Sequence, residues 1–316
     1  MKVGLDRVAA GWFGPRTSSP TLGSLGARRG QGSNLKAEKI EGREFQGLNY
    51  SPITPRFGVE LGASKPLLAF SDDEVGALVK IAAQRGVVVA RDQDMTPQQQ
   101  AQFAHRLGRP LTTPVNKGKL PEELLLIQAN EKSKGVAGNG WHSDVSSAAK
   151  PPGLSMLRME VVPDAGGDTL FADMRQVFES LSPMMQSFLQ TLHARHEPRG
   201  HYLYLSGAKR LDELPSVEHP VVRSHPLTGD KALYVNDGFV AKIVELSGPE
   251  SRALLNMLYD LVAYAVNFQC RVRWQPNTVV FWDNRVVQHH AAFDYWPETR
   301  RGYRATIEGE APILSH

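Results

Sequence analysis

Trp141-His142-Ser143-Asp144 is the first place where residue types and spacing could do chemistry. In an extended segment, side chains two apart leave the backbone on the same side, so His142 and Asp144 could close on one metal ion. Two imidazoles and one carboxylate on one face of an octahedron bind non-haem iron(II) and leave three positions open. A His-x-Asp triplet alone is common, so a second histidine must come from elsewhere. Phe281-Trp282-Asp283-Asn284-Arg285-Val286-Val287-Gln288-His289-His290 offers two, just after a hydrophobic strand. Arg300, Arg301 and Arg304 follow as a basic cluster. Residue type leaves His289 and His290 open as the second imidazole, and all three arginines open as anion holders. The remaining histidines, His196 and His219 among them, lack ligand spacing and are read as structural.

In this order, the residues resemble the taurine dioxygenase family, which includes the dichlorophenoxyacetate dioxygenases. That family's pattern is His-x-Asp, a Thr or Ser some two dozen residues on, then a distant His with an Arg about a dozen residues beyond. Thr169 lies 25 positions after Asp144, and Arg300 lies 11 after His289. Gly166-Gly167-Asp168-Thr169, Tyr234-Val235-Asn236-Asp237-Gly238-Phe239 and Arg273-Trp274-Gln275-Pro276 extend the resemblance, which runs from about Phe57 to Ile313. It implies a double-stranded β-helix, the jelly roll of the clavaminate synthase type, flanked by helices. It also implies Fe(II) on His142, Asp144 and His289, with 2-oxoglutarate as cosubstrate alongside O2. Thr169 and Arg300 would hold the far carboxylate of 2-oxoglutarate, the arginine through a bidentate fork. The implied reaction releases succinate and CO2 and hydroxylates a C–H bond. The family register favours His289 over His290 and Arg300 over Arg301. Iron halogenases of this broad class carry a small residue in place of the carboxylate, so Asp144 implies oxygenation.

Arg304 lies 15 residues after His289, where sulfonate-using relatives bind the substrate's anionic head; a scaffold role is the alternative. The expected substrate is a small anionic molecule, with sulfonates or alkyl sulfate esters as a narrower reading. Taurine is disfavoured. Relatives that use it carry a histidine where Thr113 stands, and a threonine adds a hydrogen bond but no charge. Gly138-Asn139-Gly140 also replaces a more polar set before His142. Tyr202 and Phe239 are expected to supply an aromatic wall, with core packing as the alternative. A non-oxidative zinc or manganese hydrolase, isomerase or binding module on the same fold is the rival function. Thr169 and Arg300 argue against it, because such a site needs no dicarboxylate clamp.

These residues need elements to position them. Ser71-Asp72-Asp73-Glu74 caps a helix running to about Gln84, and Thr96-Pro97 opens another that ends at Leu107 before Gly108. Strands are expected at Gly86–Ala90, Leu124–Ala129, Gly153–Val162, Asp168–Ala172, Val221–Ser224 and Ala232–Asn236. Further strands are expected at Arg271–Trp274, Thr278–Trp282 and Tyr303–Glu308. Helices are expected at about Met174–His193 and Pro249–Val266. Helices first, then short strands between Gly/Pro turns, predict an α+β domain with a sandwich or jelly-roll core.

The 316 residues, 41% hydrophobic and 22% charged, suffice for a large core. Residues 46–316 are read as one catalytic domain with a helical and loop insertion over about 173–218, mobile near Pro198-Arg199-Gly200. Residues 1–45 are acid-poor and rich in Gly, Ser and Arg, which fits a flexible arm; an organellar transit peptide is the alternative. The expected location is the cytoplasm, or mitochondria on the transit-peptide reading. A net charge of +3 and the lack of a basic run with aromatics argue against nucleic acid. No apolar stretch is long enough to span a bilayer, so a soluble protein acting on a small molecule is expected. The single cysteine, Cys270, excludes an intrachain disulfide and is read as a core residue. A homo-oligomer accords with the family but cannot be read from the chain.

Overall fold

Strands β1 (Arg43–Phe45), β2 (Leu48–Pro52), β3 (Val59–Leu61) and β4 (Val87–Ala90) begin one large sheet. It is completed by β5 (Leu124–Ala129), β6 (Leu154–Val161), β14 (Val279–Asp283) and β16 (Arg300–Thr306). Its eight strands run in the order β1-β2-β3-β4-β14-β6-β16-β5, leaving β5 at an edge. A second sheet joins β7 (Thr169–Asp173), β13 (Gln269–Val272) and β15 (Val287–Ala291) in the order β13-β7-β15. Another three-stranded sheet pairs β8 (His193–His196) with β9 (Val217–Pro220) and β12 (Val240–Ile243), and a two-stranded one pairs β10 (Val222–Ser224) with β11 (Lys231–Leu233). The helices are α1 (Asp72–Arg85), α2 (Pro97–Leu107), α3 (Met174–Ser180), α4 (Pro183–Leu189) and α5 (Gly248–Tyr264).

This computed structural model describes residues 43–62, 65–112, 120–136, 138–198, 209–214 and 216–315, all within the unit Ile40–His316. Most of the expected arm, residues 1–42, lies outside the described residues. Its last three residues do not match an arm, because Arg43–Phe45 pair with β2.

The middle strands β4 and β14 of the large sheet are buried on both faces, which explains their uninterrupted apolar runs. Along β4, Val88 and Ala90 enter a core with Ala77, Leu78 and Ile81 of α1 and Phe103 of α2. Val87 and Val89 enter the opposite core with Phe171. β14 divides likewise, Val279 and Phe281 toward the helices and Val280 and Trp282 away from them. Both helices start as their sequences require. Ser71 with Glu74, and Thr96 with Gln99, form reciprocal capping boxes.

Chain order alternates between the eight-stranded sheet and the sheet of β13, β7 and β15, from β6 to β7 and again through β13, β14, β15 and β16. On β16, Ala305 and Tyr303 pack toward the helices, so Arg304 and Arg300 project to the other face. That face and the second sheet enclose the cavity.

Several expectations need correction. The helix expected over 174–193 breaks at Leu181, because Ser182 caps a new helix with Pro183 in its first turn. His193 then starts β8, so the stretch read as helix and loop contains a strand. β11 stops at Leu233, short of Asn236. Residue 198 is described, but 199–208 lie outside the described residues. Among the described residues no helix is long and apolar enough to cross a membrane.

Candidate active site

His142 and Asp144 were expected on an extended segment, but only His142 is extended, and Asp144 already lies in a turn. His142 forms an isolated bridge with His289 on β15. The two exchange backbone hydrogen bonds, His142 N to His289 O at 3.1 Å and His289 N to His142 O at 2.8 Å. This bridge sets the imidazoles side by side, ring centres 4.1 Å apart. The turn brings Asp144 Oδ1 to 3.9 Å from Nε2 of each histidine. One donor atom from each of the three residues lies within 4.8 Å of the others.

Each donor is oriented by a neighbour. Gly140 O can only accept, so its 2.8 Å contact with His142 Nδ1 puts the proton there and leaves Nε2 free to bind a metal. Asp144 Oδ2 accepts from Ser155 Oγ at 2.9 Å. Asn284 donates to the same Ser155 hydroxyl and accepts from Asp144 N and from Trp282 Nε1. His289 is held by packing: its ring lies 4.9 Å from that of Trp282 and stacks on Phe171. Gly138 and Gly238 press on His142; a Cβ on Gly238 would come 2.9 Å from His142 Cβ.

Burial raises the Asp144 pKa, but Arg304, His289 and His142 together outweigh it and hold the carboxyl down at about 2. Burial, and then His142, push His289 well below its ordinary range. At neutral pH the set therefore contains a carboxylate and a neutral His289.

The cavity beside this triad has a volume of about 290 Å³ and is also lined by Thr169, Phe239, Arg300 and Arg304. Arg300 is buried and donates from Nε to Gly167 O at 2.9 Å, with Nη2 3.4 Å from Thr169 Oγ1. Thr169 Oγ1 also accepts from Trp274 Nε1, and the Arg300 guanidinium lies over the Trp274 ring. Among the described residues no carboxylate pairs with Arg300, and burial lowers its pKa. Arg301 instead pairs with Glu160, and His290 packs on Trp141. Arg304 donates to Asp144 Oδ1 at 2.8 Å, while its buried Nε has no hydrogen-bond partner. Thr113 and Tyr202 lie outside the described residues. Ser155 and Asn284 were missed at the sequence level. Asn284 stands beside Trp282-Asp283 in the quoted distal segment, but nothing about its spacing reveals a partner in β6.

Two imidazoles and a carboxylate that could hold a metal ion, and a buried cation with no carboxylate partner among the described residues, thus share one cavity. Residues 49–306 match the family described as "Taurine catabolism dioxygenase TauD, TfdA family". The "Alpha-ketoglutarate-dependent sulfonate dioxygenase" of Saccharomyces cerevisiae is 37% identical over 301 residues, covering 90% of this chain and 71% of that protein. The "Alpha-ketoglutarate-dependent sulfate ester dioxygenase" of Pseudomonas putida is 31% identical over 281 residues, 84% of this chain and 91% of that one. The crystal structure of a taurine dioxygenase from Burkholderia xenovorans superposes with a TM-score of 0.73 at 30% identity, covering 84% of this chain and 93% of its own.

The chain belongs to this TauD/TfdA family. It is a 2-oxoglutarate-dependent dioxygenase using Fe(II), 2-oxoglutarate and O2, and the non-oxidative alternatives fall away.

Proposed function

We propose that His142, Asp144 and His289 bind Fe(II), that Thr169 and Arg300 anchor 2-oxoglutarate, and that Arg304 receives an anionic substrate. The observation that carries this reading is Arg300. A buried guanidinium with no acidic partner among the described residues is costly to fold around, and a bound carboxylate offsets that cost. The donor set fits the metal, because two imidazole nitrogens and an ionised carboxylate oxygen converge from one side. When bound, Fe(II) with 2-oxoglutarate and O2 supplies the oxidising chemistry, giving succinate, CO2 and a hydroxylated substrate.

The protein's residues bind and orient. Gly140 O fixes the His142 tautomer. Ser155 holds Asp144 Oδ2, so Oδ1, which faces both histidine Nε2 atoms and accepts from Arg304, is the oxygen turned toward the metal position. Phe171 and Trp282 keep water from His289. Arg304 lines the cavity and supplies positive charge for the substrate's head. The names of the relatives support a sulfonate or sulfate ester as that substrate, hydroxylated at a C–H bond. The alternation of β6, β7 and β13 to β16 between two facing sheets supports the double-stranded β-helix as the architecture.

Anaerobic titration of Fe(II) and 2-oxoglutarate tests the anchor. A weak visible charge-transfer band is expected in the wild type, and Arg300→Ala should need at least about tenfold more 2-oxoglutarate to reach it, as loss of a charge-assisted pair implies. No band in folded, metal-loaded wild type would overturn the proposal.

A further inference from the structure

Arg273-Trp274-Gln275-Pro276 follows β13 and supplies no metal donor. Val272, the last residue of β13, pairs with Thr169 of β7, and Trp274 lies two residues further on. Its buried indole touches both proposed holders of the distal carboxylate. Nε1 donates to Thr169 Oγ1 at 3.0 Å, and the Arg300 guanidinium carbon lies 5.4 Å from the ring centre. Thr169 opens β7 in one sheet and Arg300 opens β16 in the other, so one side chain joins the two halves of the clamp.

The indole N–H decides where the Thr169 proton can go. A threonine hydroxyl has one hydrogen and two lone pairs. Trp274 Nε1 can only donate, and so can Arg300 Nη2, 3.4 Å from the same oxygen. With both lone pairs facing donors, the hydrogen must leave Thr169 in a third direction. Among the described residues it meets no acceptor, and Thr169 lines the cavity. A carboxylate oxygen suits that place, because it accepts from the hydroxyl and from the guanidinium and carries no competing hydrogen. Without the indole N–H one lone pair is released and the hydroxyl can rotate away. Were packing the whole role of residue 274, phenylalanine would serve without a buried N–H that needs a partner.

We infer that Trp274 is a positioning residue for the cosubstrate, its N–H directing the Thr169 hydroxyl hydrogen toward the distal carboxylate of 2-oxoglutarate. This rests on the reading of Thr169 and Arg300 as the 2-oxoglutarate anchor.

The test is anaerobic titration of 2-oxoglutarate into the full-length, Fe(II)-loaded protein, followed by the visible charge-transfer band, with thermal midpoints measured alongside. Trp274→Phe keeps an aromatic face beside Arg300 and removes the N–H. Half-saturation should then need about fivefold more 2-oxoglutarate, with the full height of the band unchanged. Thr169→Val should need at least about tenfold more. Adding Trp274→Phe to Thr169→Val should cost nothing further, because the N–H acts only through the hydroxyl. Should Trp274→Phe not fold, 3-benzothienylalanine at position 274 replaces the N–H with sulfur at nearly the same shape and gives the same comparison. The inference is overturned if a folded protein lacking this N–H titrates like the wild type, whatever its thermal midpoint, or if the two effects add in full. If Thr169→Val and Arg300→Ala themselves titrate like the wild type, the anchor reading fails and takes the inference with it.

Discussion

At the scale of single residues, the site depends on groups that never touch the cavity. Asn284 bonds the Asp144 backbone and the Ser155 hydroxyl, and Ser155 fixes Asp144 Oδ2. Asn284→Ala should therefore leave the three donors in place but free the carboxylate to rotate. Fe(II) affinity, measured by anaerobic competition with a chelator, is expected to fall about 10- to 100-fold. Unchanged affinity in a folded variant would show that Asn284 serves stability alone. Residue chemistry and spacing pointed to His142 and Asp144 with a histidine and an arginine near the C-terminus, and the family resemblance chose Thr169, His289 and Arg300 among the candidates. Ser155 and Asn284 stayed hidden because any strand can hold a serine and any turn an asparagine; their partnership arises only when β14 pairs with β6.

At the scale of elements, legibility followed local chemistry. α1, α2 and β5 were readable because caps and unbroken apolar runs are written within one segment. The break between α3 and α4 was not, since the apolar spacing of Met174 to Leu189 continues across it and only Ser182-Pro183 marks the restart. β15 was missed because Gln288, His289 and His290 put polar groups in a strand whose partner, β7, lies more than a hundred residues away. β8 and β12 are four residues each and pair with one another, so neither has a period of its own. The capping boxes are a clean test at this scale. Ser71→Ala should destabilise the protein by about 1 kcal/mol in urea unfolding, with activity retained. No change in the midpoint would mean that packing of α1 alone holds its first turn.

At the scale of the whole molecule, buried titratable groups set the response to acid. His196 is fully buried against Ser146 and beside His219. Burial, and then His219, push its pKa down from 6.5 to about 3. The unfolded chain binds this proton below about 6.5, whereas the folded chain does not until about 3. Stability should therefore fall as pH drops through that window, at up to about 1.4 kcal/mol per pH unit for this group. Asp283 acts later. Burial raises its pKa, but His225 and Arg285 outweigh it and hold the carboxyl at about 2 against the usual 3.8. The stability it contributes is lost as pH falls between those two values. Urea midpoints between pH 7 and pH 4 should decline in the wild type and decline less in His196→Gln. Parallel curves would remove His196 as a cause.

The reciprocal backbone bonds between His142 and His289 also set a timetable for synthesis. One partner emerges from the ribosome 147 residues before the other, and β16, which carries Arg300 and Arg304, comes later still. A nascent chain cannot bring both imidazoles together until His289 has been made. On the proposed reading, iron is therefore acquired only after β15 has been made, and products truncated before it cannot sequester the ion in the same way.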